Sequence, residues 1–411
     1  MPRLVIIGAG MASARLLQHL VELDHGYDIE LISEEALPNY NRILLSTLLA
    51  KGDDSNDLHL LGDDWYAKHH ISLHTSESVV AIDTKNQCVT TSKDRKLDYD
   101  ALVLATGSSP FIPPIEGVES PGVFAFRNIK DLEQIRNSAQ PEGRTAVIGG
   151  GLLGLEAAAG LLTLNQQVTV INRESWLMPR QLDETAAGLL QKNLEQRGID
   201  FRLGVTPVAI HSEQGQPTHI VLSDGEQLAT DMIVISAGII PNKSLAESAG
   251  IACERAVLVD EHLATNIDNI YAIGECCQFD GMLFGLVDPV YRQAEILARS
   301  LCKLSGPGFA HKEVPTELKV AGLDVVSAGA LPYPADSQQL VLIDQHTQTY
   351  RRLVFKEGKL IGYLLIGDSR FKSAYRQLLD SGQEVGSSSA MMFAANPALP
   401  TAANSAEVAL N

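Results

Sequence analysis

The chain is predicted to be an α/β protein, with two Rossmann-like dinucleotide-binding domains and a small C-terminal α+β domain. Three observations lead there. Short apolar runs alternate with segments of helical periodicity, the pattern of parallel sheets covered by helices. A glycine-rich turn between a strand and a helix occurs twice, first at Gly8 and again at Gly149. Of the 411 residues, 45% are apolar and 20% charged, which allows more than one core and argues against wholesale disorder.

The first copy opens the chain. Residues 4–7 form a four-residue apolar run, Gly8-Ala9-Gly10 turns the chain, residues 12–23 show helical spacing, and 29–32 form a second strand. The start has a faint look of a signal peptide, but so short an apolar run leading into glycine suits a buried strand better. The second copy repeats the order: strand 145–148, turn 149–154, helix 155–164, strand 168–171. Two more strands end in small residues: 101–104 runs into Ala105-Thr106-Gly107 and 232–235 into Ser236-Ala237-Gly238. Ligands of open parallel sheets sit beyond such carboxyl ends. Pro110, Pro113 and Pro114 read as a stiff linker. After residue 311 the texture changes to strands at 340–343, 350–355 and 360–365, with turns at 344–346 and 357–358. The expected division is a discontinuous first domain, 1–113 with 241–310, a second domain over 114–240, a third over 311–383, and a disordered tail over 384–411.

Charge and cysteine content exclude several functions. The net charge of −18 disfavours binding to nucleic acid or anionic membrane. No apolar stretch is long enough to span a bilayer. The five cysteines, at 88, 253, 276, 277 and 302, form no CxxC pair and no metal spacing, which implies a reduced, cytoplasmic protein without a bound metal.

Gly8-x-Gly10-x-x-Ser13 is the first chemical motif. Its first glycine makes the turn, its second lets a pyrophosphate approach the backbone, and Ser13 replaces the usual third glycine. The following helix offers free N–H groups to the phosphates. Glu34, with Glu35 as a rival, is the carboxylate placed to accept ribose hydroxyls; an ordinary Gly-rich turn is the bland alternative. Gly149-Gly150-Gly151-Leu152-Leu153-Gly154 satisfies the motif in full, with Gly149, Gly151 and Gly154 as its three glycines. At the end of its second strand stands Asn172-Arg173-Glu174, where a carboxylate would select NADH. Arg173 could grip a 2′-phosphate or be a solvated surface arginine, so NADH and NADPH both stay open. A third motif, Thr265-x5-Tyr271-Ala272-Ile273-Gly274-Glu275, delivers a carboxylate beside a glycine at a sheet edge.

The set resembles the two-dinucleotide-binding flavoproteins of the pyridine nucleotide–disulfide oxidoreductase superfamily, whose fold is glutathione-reductase-like. Segments 39–46, 149–158, 178–185, 273–276 and the pattern Lys319-x-x-Gly322-x-Asp324 are similar to the flavoprotein portion of the NAD(P)H nitrite reductase large subunit. Rubredoxin and ferredoxin reductases are more distant likenesses. The resemblance implies that Gly8, Gly10, Glu34, Arg42, Thr106, Gly107, Gly274 and Glu275 line FAD. It implies that Gly149, Gly151, Gly154, Glu156 and Gly238 line the nicotinamide nucleotide. Glu275 departs by one methylene from the family's usual Asp. The resemblance also points the N-terminus of the helix following Asp288 at the flavin, and makes Glu156 the best candidate to hold the carboxamide. No side chain is needed as a nucleophile or general base.

The cysteine pattern lacks the pair that dithiol chemistry needs, and 40–46 lacks the single cysteine of the family's peroxidase branch. Cys276 and Cys277 read as buried small residues. The histidines do not converge; His69 and His70 adjoin what looks like a surface helix at Trp65-Tyr66. Met391-Met392-Phe393 is a short apolar spot in the tail. Between 351 and 380, Arg351, Arg352, Lys356, Lys359, Arg370, Lys372 and Arg376 outnumber Glu357, Asp368 and Asp380. That excess is either a solvated face or a docking patch for an acidic redox partner.

The sequence therefore predicts an FAD-dependent NAD(P)H oxidoreductase serving a protein acceptor, as the flavoprotein component of an assimilatory nitrate or nitrite reductase system. A stand-alone rubredoxin or ferredoxin reductase is the alternative enzyme. A flavin-bound redox sensor is the alternative of another class.

Overall fold

The computed structural model describes residues 1–51, 58–62, 64–311, 314–320, 322–329, 331–344 and 346–385. Two five-stranded parallel sheets dominate it. The first runs, in space, Ile270–Ala272, Ala101–Leu104, Arg3–Ile7, Asp28–Ile32, Ile71–His74. The second runs Val123–Ala125, Met232–Ile235, Arg144–Ile148, Gln167–Asn172, Ile199–Leu203. Each central strand turns through glycine into a twelve-residue helix, Met11–Glu22 or Leu152–Thr163. Leu4, Val5 and Ile6 are wholly buried, as are Ala146 and Val147. Strands covered on both faces read as unbroken apolar runs rather than alternations, which is why they stand out in the sequence.

Each sheet also carries a three-stranded antiparallel meander, inserted just before its strand 101–104 in the first copy and just before its strand 232–235 in the second. One is Val79–Asp83, Cys88–Thr91, Lys96–Asp98; the other is Pro207–Glu213, Gln216–Leu222, Gln227–Ala229. Even a register shift recurs, at Val79/Ala81 and at Pro207/Ala209. The duplication thus extends from the glycine turn to the whole unit. The copies are interleaved: Ile270–Ala272 joins the first sheet after the entire second copy has been laid down. The two crossings pair as strands, Ser108–Pro110 with Ile239–Pro241.

The C-terminal region is a five-stranded antiparallel sheet, ordered Thr316–Val320, Leu323–Ala328, Lys359–Ile366, Thr349–Lys356, Gln338–Asp344, with the helix Lys372–Ser381. The sequence pattern predicts only three of these strands. Thr316–Val320 and Leu323–Ala328 escaped it because Gly322, at φ +79°, splits one apolar stretch into a hairpin. Residues 386–411, including Met391-Met392-Phe393, lie outside the described residues.

Two expectations need correction, and a third is narrowed. The helix after Asp288 begins two residues earlier than Pro289 and covers Val287–Leu301, with Pro289 still in its first turn, where its missing N–H costs nothing. The helix beside His69 is only Trp65–Lys68, and its Tyr66 is buried with its hydroxyl donating to Asn39 Oδ1 at 2.6 Å. The basic stretch is not a free cationic face. Arg351 and Arg370 pair with Asp368, Arg352 with Asp183, Lys356 with Asp336, Lys372 with Glu317 and Arg376 with Asp380. Counting charges between 351 and 380 missed Asp183, Asp336 and Glu317, which fold onto it from outside that window.

Candidate functional site

Both glycine turns have one geometry, and each glycine in it answers a different constraint. Gly8 has φ +105° and Gly149 φ +121°, a region side chains rarely adopt. A β-carbon at either would overlap a backbone carbonyl of the neighbouring strand end, Ala105 in one case and Ser236 in the other. Each amide donates to the end of the next strand, Gly8 to Ile32 O and Gly149 to Ile171 O, both at 2.8 Å. Gly10 and Gly151 cap their helices in extended conformation without a capping side chain. A β-carbon on either would meet only open space. Those two glycines therefore keep clear the space in front of uncapped helix N–H groups, where a phosphate can bind.

The third positions differ. A β-carbon at Gly154 would overlap Gly149 O, so that loop is closed tightly. Ser13, fully buried, fits because its hydroxyl donates to Gly10 O at 3.0 Å. Asn39 Nδ2 donates to the same carbonyl at 2.7 Å and to Ser13 Oγ at 3.1 Å. Asn39 thus braces the first loop, a role for which its local sequence gave no signal.

The carboxylates sort unequally. Glu34 is exposed. Its rival Glu35 accepts from Tyr40 Oη at 2.7 Å and pairs with Arg42, so Arg42 is held at the mouth of the first loop. Glu275 sits in the short 3₁₀ turn Gly274–Cys276 after the strand Ile270–Ala272. It accepts from Ser108 Oγ at 2.6 Å and pairs with Arg127. Arg127 belongs to the second unit, at the start of the Ile129–Ser138 helix, and nothing in its neighbours foretold this long-range pair. Thr106 and Gly107 end the adjacent strand; Thr106 Oγ1 donates to Asn242 O at 2.9 Å, which ties the two crossings together. Gly274, at φ +87°, receives support from buried Gln293, whose Oε1 accepts its amide at 2.8 Å. Gly8, Gly10, Ser13, Arg42, Thr106, Gly107, Gly274 and Glu275 thereby gather at the carboxyl edge of one sheet.

At the second loop, Glu156 lies in the first turns of its helix and accepts from Ser46 Oγ at 3.0 Å. Ser46 comes from the first unit's helix Leu45–Lys51, which packs on Leu152–Thr163, with Leu49 against Gly160. Burial pushes the Glu156 carboxyl above its usual range, and the Ser46 hydrogen bond opposes that only in part. Gly238, at φ +117°, leaves open space at the end of Met232–Ile235. Arg173 is 78% exposed and pairs with Glu174 beside it. Cys276 and Cys277 are buried, and burial raises both thiols, which makes them poor nucleophiles. A cavity of about 200 Å³ opens beside the N-terminus of Val287–Leu301, lined by Leu286 and Pro289 with Arg180, Gln181, His311 and Ser327.

Such a pair of matched phosphate cradles on twin parallel sheets defines a dinucleotide-dependent oxidoreductase with two nucleotide sites. The chain belongs to the pyridine nucleotide-disulphide oxidoreductase family, whose model matches residues 2–296. The model of the rubredoxin NAD+ reductase C-terminal domain matches 315–383. The chain is 43% identical over 380 residues to the assimilatory nitrate reductase electron transfer subunit of Bacillus subtilis (strain 168), covering 92% of this chain and 49% of that one. It is 30% identical to the rubredoxin-NAD(+) reductase of Pseudomonas putida, covering 87% of this chain and 94% of that one. The chain thus spans about half the length of the first relative and nearly all of the second. Among solved structures, the ferredoxin reductase for the CYP199A2 system from Rhodopseudomonas palustris superposes with a TM-score of 0.86 at 26% identity, over 94% of this chain and 96% of that one. Among the described residues no helix is long and apolar enough to cross a membrane.

Proposed function

We propose that this chain is a cytoplasmic FAD-dependent NAD(P)H oxidoreductase that delivers electrons to a protein acceptor, as the flavoprotein component of an assimilatory nitrate or nitrite reductase system. The observation that carries this reading is the repeated phosphate cradle, two uncapped helix N-termini each fronted by an open glycine. The likeness to a nitrate reductase electron transfer subunit supports the choice of acceptor. FAD, when bound, supplies the conversion of a hydride pair into single electrons, which no side chain here can perform.

The protein's own residues bind and orient. Residues 1–113 with 241–310 would hold FAD, and 114–240 the nicotinamide nucleotide. The Met11–Glu22 and Leu152–Thr163 helices turn their N–H groups to the two pyrophosphates. Glu35 or exposed Glu34 accepts from a ribose. Glu275 and Arg127, one from each unit, pair with each other and would couple the two pockets. Glu156, positioned by Ser46, stands in the first turns of the nicotinamide-side helix to accept from a carboxamide. The N-terminus of Val287–Leu301 has no capping side chain, and its dipole would stabilise negative charge by roughly 0.3–2 kcal/mol.

The near-complete overlap with a rubredoxin-NAD(+) reductase supports a second reading, a stand-alone reductase of rubredoxin or ferredoxin. Steady-state NAD(P)H oxidation decides between them when run with ferricyanide, with a rubredoxin and with a nitrate reductase catalytic subunit. The first reading expects turnover with ferricyanide and with the nitrate reductase subunit. Preference for rubredoxin would transfer the chain to the second. Slow turnover with every acceptor would make it a redox sensor instead.

A further inference from the structure

The strand Gln167–Asn172 ends at the point where a dinucleotide site meets the ribose of its adenosine. A carboxylate there accepts both ribose hydroxyls and repels a 2′-phosphate. Asn172 has no charge, and its amide is turned inward and buried. Its Oδ1 accepts the Gly150 amide at 3.0 Å, and its Nδ2 donates to Glu174 O and Trp176 O, each at 3.0 Å. The carbonyl oxygen and the amide nitrogen are thus both engaged within the protein, so Asn172 serves the loop rather than a ribose.

The next side chain is Arg173, 78% exposed. Its Nε and Nη2 both donate to one oxygen of Glu174, at 3.1 and 2.8 Å. Exposed ion pairs of this kind contribute little, and a dianionic phosphate is a stronger partner for the guanidinium fork than one carboxylate oxygen. Glu174 is the only carboxylate within reach in sequence. Its carbonyl is fixed from two sides, by Asn172 Nδ2 and by the Gly204 amide at 3.1 Å. That fixes its backbone between Asn172 and the end of the outer strand Ile199–Leu203, and its carboxylate is held by Arg173.

We infer that this chain prefers the nicotinamide nucleotide carrying a 2′-phosphate on its adenosine ribose, NADPH, with Arg173 as the ligand of that phosphate. The inference rests on reading the Gly149–Gly154 loop as the nicotinamide-nucleotide cradle. Its direct test needs no turnover. Calorimetric titration of the purified holoprotein with 2′,5′-ADP and with 5′-AMP compares two probes that differ only in the 2′-phosphate. The wild type is expected to bind 2′,5′-ADP tighter by about tenfold or more, the range of a charge-assisted pair. Arg173→Ala should abolish that preference, Arg173→Lys should restore part of it, and Glu174→Gln should enlarge it by removing the competing anion. The ratio of kcat/KM for NADPH over NADH in flavin reduction should fall in parallel in Arg173→Ala. Equal or tighter binding of 5′-AMP by the wild type, or a preference unchanged in Arg173→Ala, would overturn the inference. Failure of both probes to bind would remove the cradle assignment with it. Probes that bind as expected to a protein whose flavin no nicotinamide reduces would leave this inference standing and defeat the proposed activity.

Discussion

Gly149 and Gly151, two positions apart, should respond to the same substitution in opposite ways. Gly149→Ala forces a side chain into φ +121° and against Ser236 O, so it should cost about 1–3 kcal/mol in denaturant unfolding. Gly151→Ala puts its methyl into open space in an extended conformation, so it should cost less than about 1 kcal/mol. Its damage should appear in nucleotide affinity, because the methyl stands where the pyrophosphate approaches. Glu156 gives a second residue-scale test. Its carboxyl is raised by burial above the ordinary 4.5, so the folded state holds a proton that the unfolded state has released. Its contribution to stability therefore falls as pH rises from about that value through the raised one. Glu156→Gln keeps a partner for Ser46 and removes the titration. Its stability relative to the wild type should rise across that window; a constant difference in unfolding midpoint would show that Glu156 titrates normally.

At the scale of elements, the interleaving decides what the chain can tolerate. The helix Leu45–Lys51 belongs to the first unit by sequence but lies in the second unit's core, with Leu49 fully buried and Ala50 O accepting from Thr163 Oγ1 at 2.7 Å. Leu49→Ala should cost about 2–5 kcal/mol. It should also displace Ser46 from Glu156 and raise KM for the nicotinamide nucleotide. The C-terminal sheet is fastened in a comparable way. Asp183 caps the helix Glu184–Glu195 by accepting from Ala186 N at 2.9 Å. The same residue accepts from Arg352 at 2.6 Å and Tyr350 at 2.9 Å. Arg352→Ala should therefore destabilise by about 1–3 kcal/mol, against almost nothing for exposed Lys359→Ala. Chemical denaturation of both variants checks this.

The same elements show what the sequence could reveal. Strands covered on both faces, and glycines answering to a backbone shape, leave a signal within a few residues, so both loops and the inner strands of both sheets are legible, while the less buried edge strands Ile71–His74, Val123–Ala125 and Ile199–Leu203 are not. Helix starts were placed late by one residue at Met11 and three at Leu152, because a glycine cap carries no side-chain signal. Contacts between distant segments left no local trace. Ser46 with Glu156, Arg127 with Glu275, and Arg352 with Asp183 span 110, 148 and 169 positions. The charge excess of residues 351–380 shrinks in space for that reason: Asp183, Asp336 and Glu317 are its neighbours in the fold and not in sequence.

On the scale of the molecule, one unit has been used twice, and the copies are bound by paired crossings, an exchanged helix and a shared ion pair. This arrangement brings two phosphate cradles to facing sheet edges, and every functional statement above depends on their holding different nucleotides. The measurement that addresses this most directly is flavin content and anaerobic bleaching of the wild type, Gly10→Glu and Gly151→Glu. A carboxylate in either open space should repel the phosphates of its own cradle alone. The wild type should retain one FAD per chain and bleach with NADPH. Gly10→Glu should be colourless, and Gly151→Glu should stay yellow and resist the nicotinamide. A colourless wild type after incubation with excess FAD, or two variants with the same phenotype, would contradict the account.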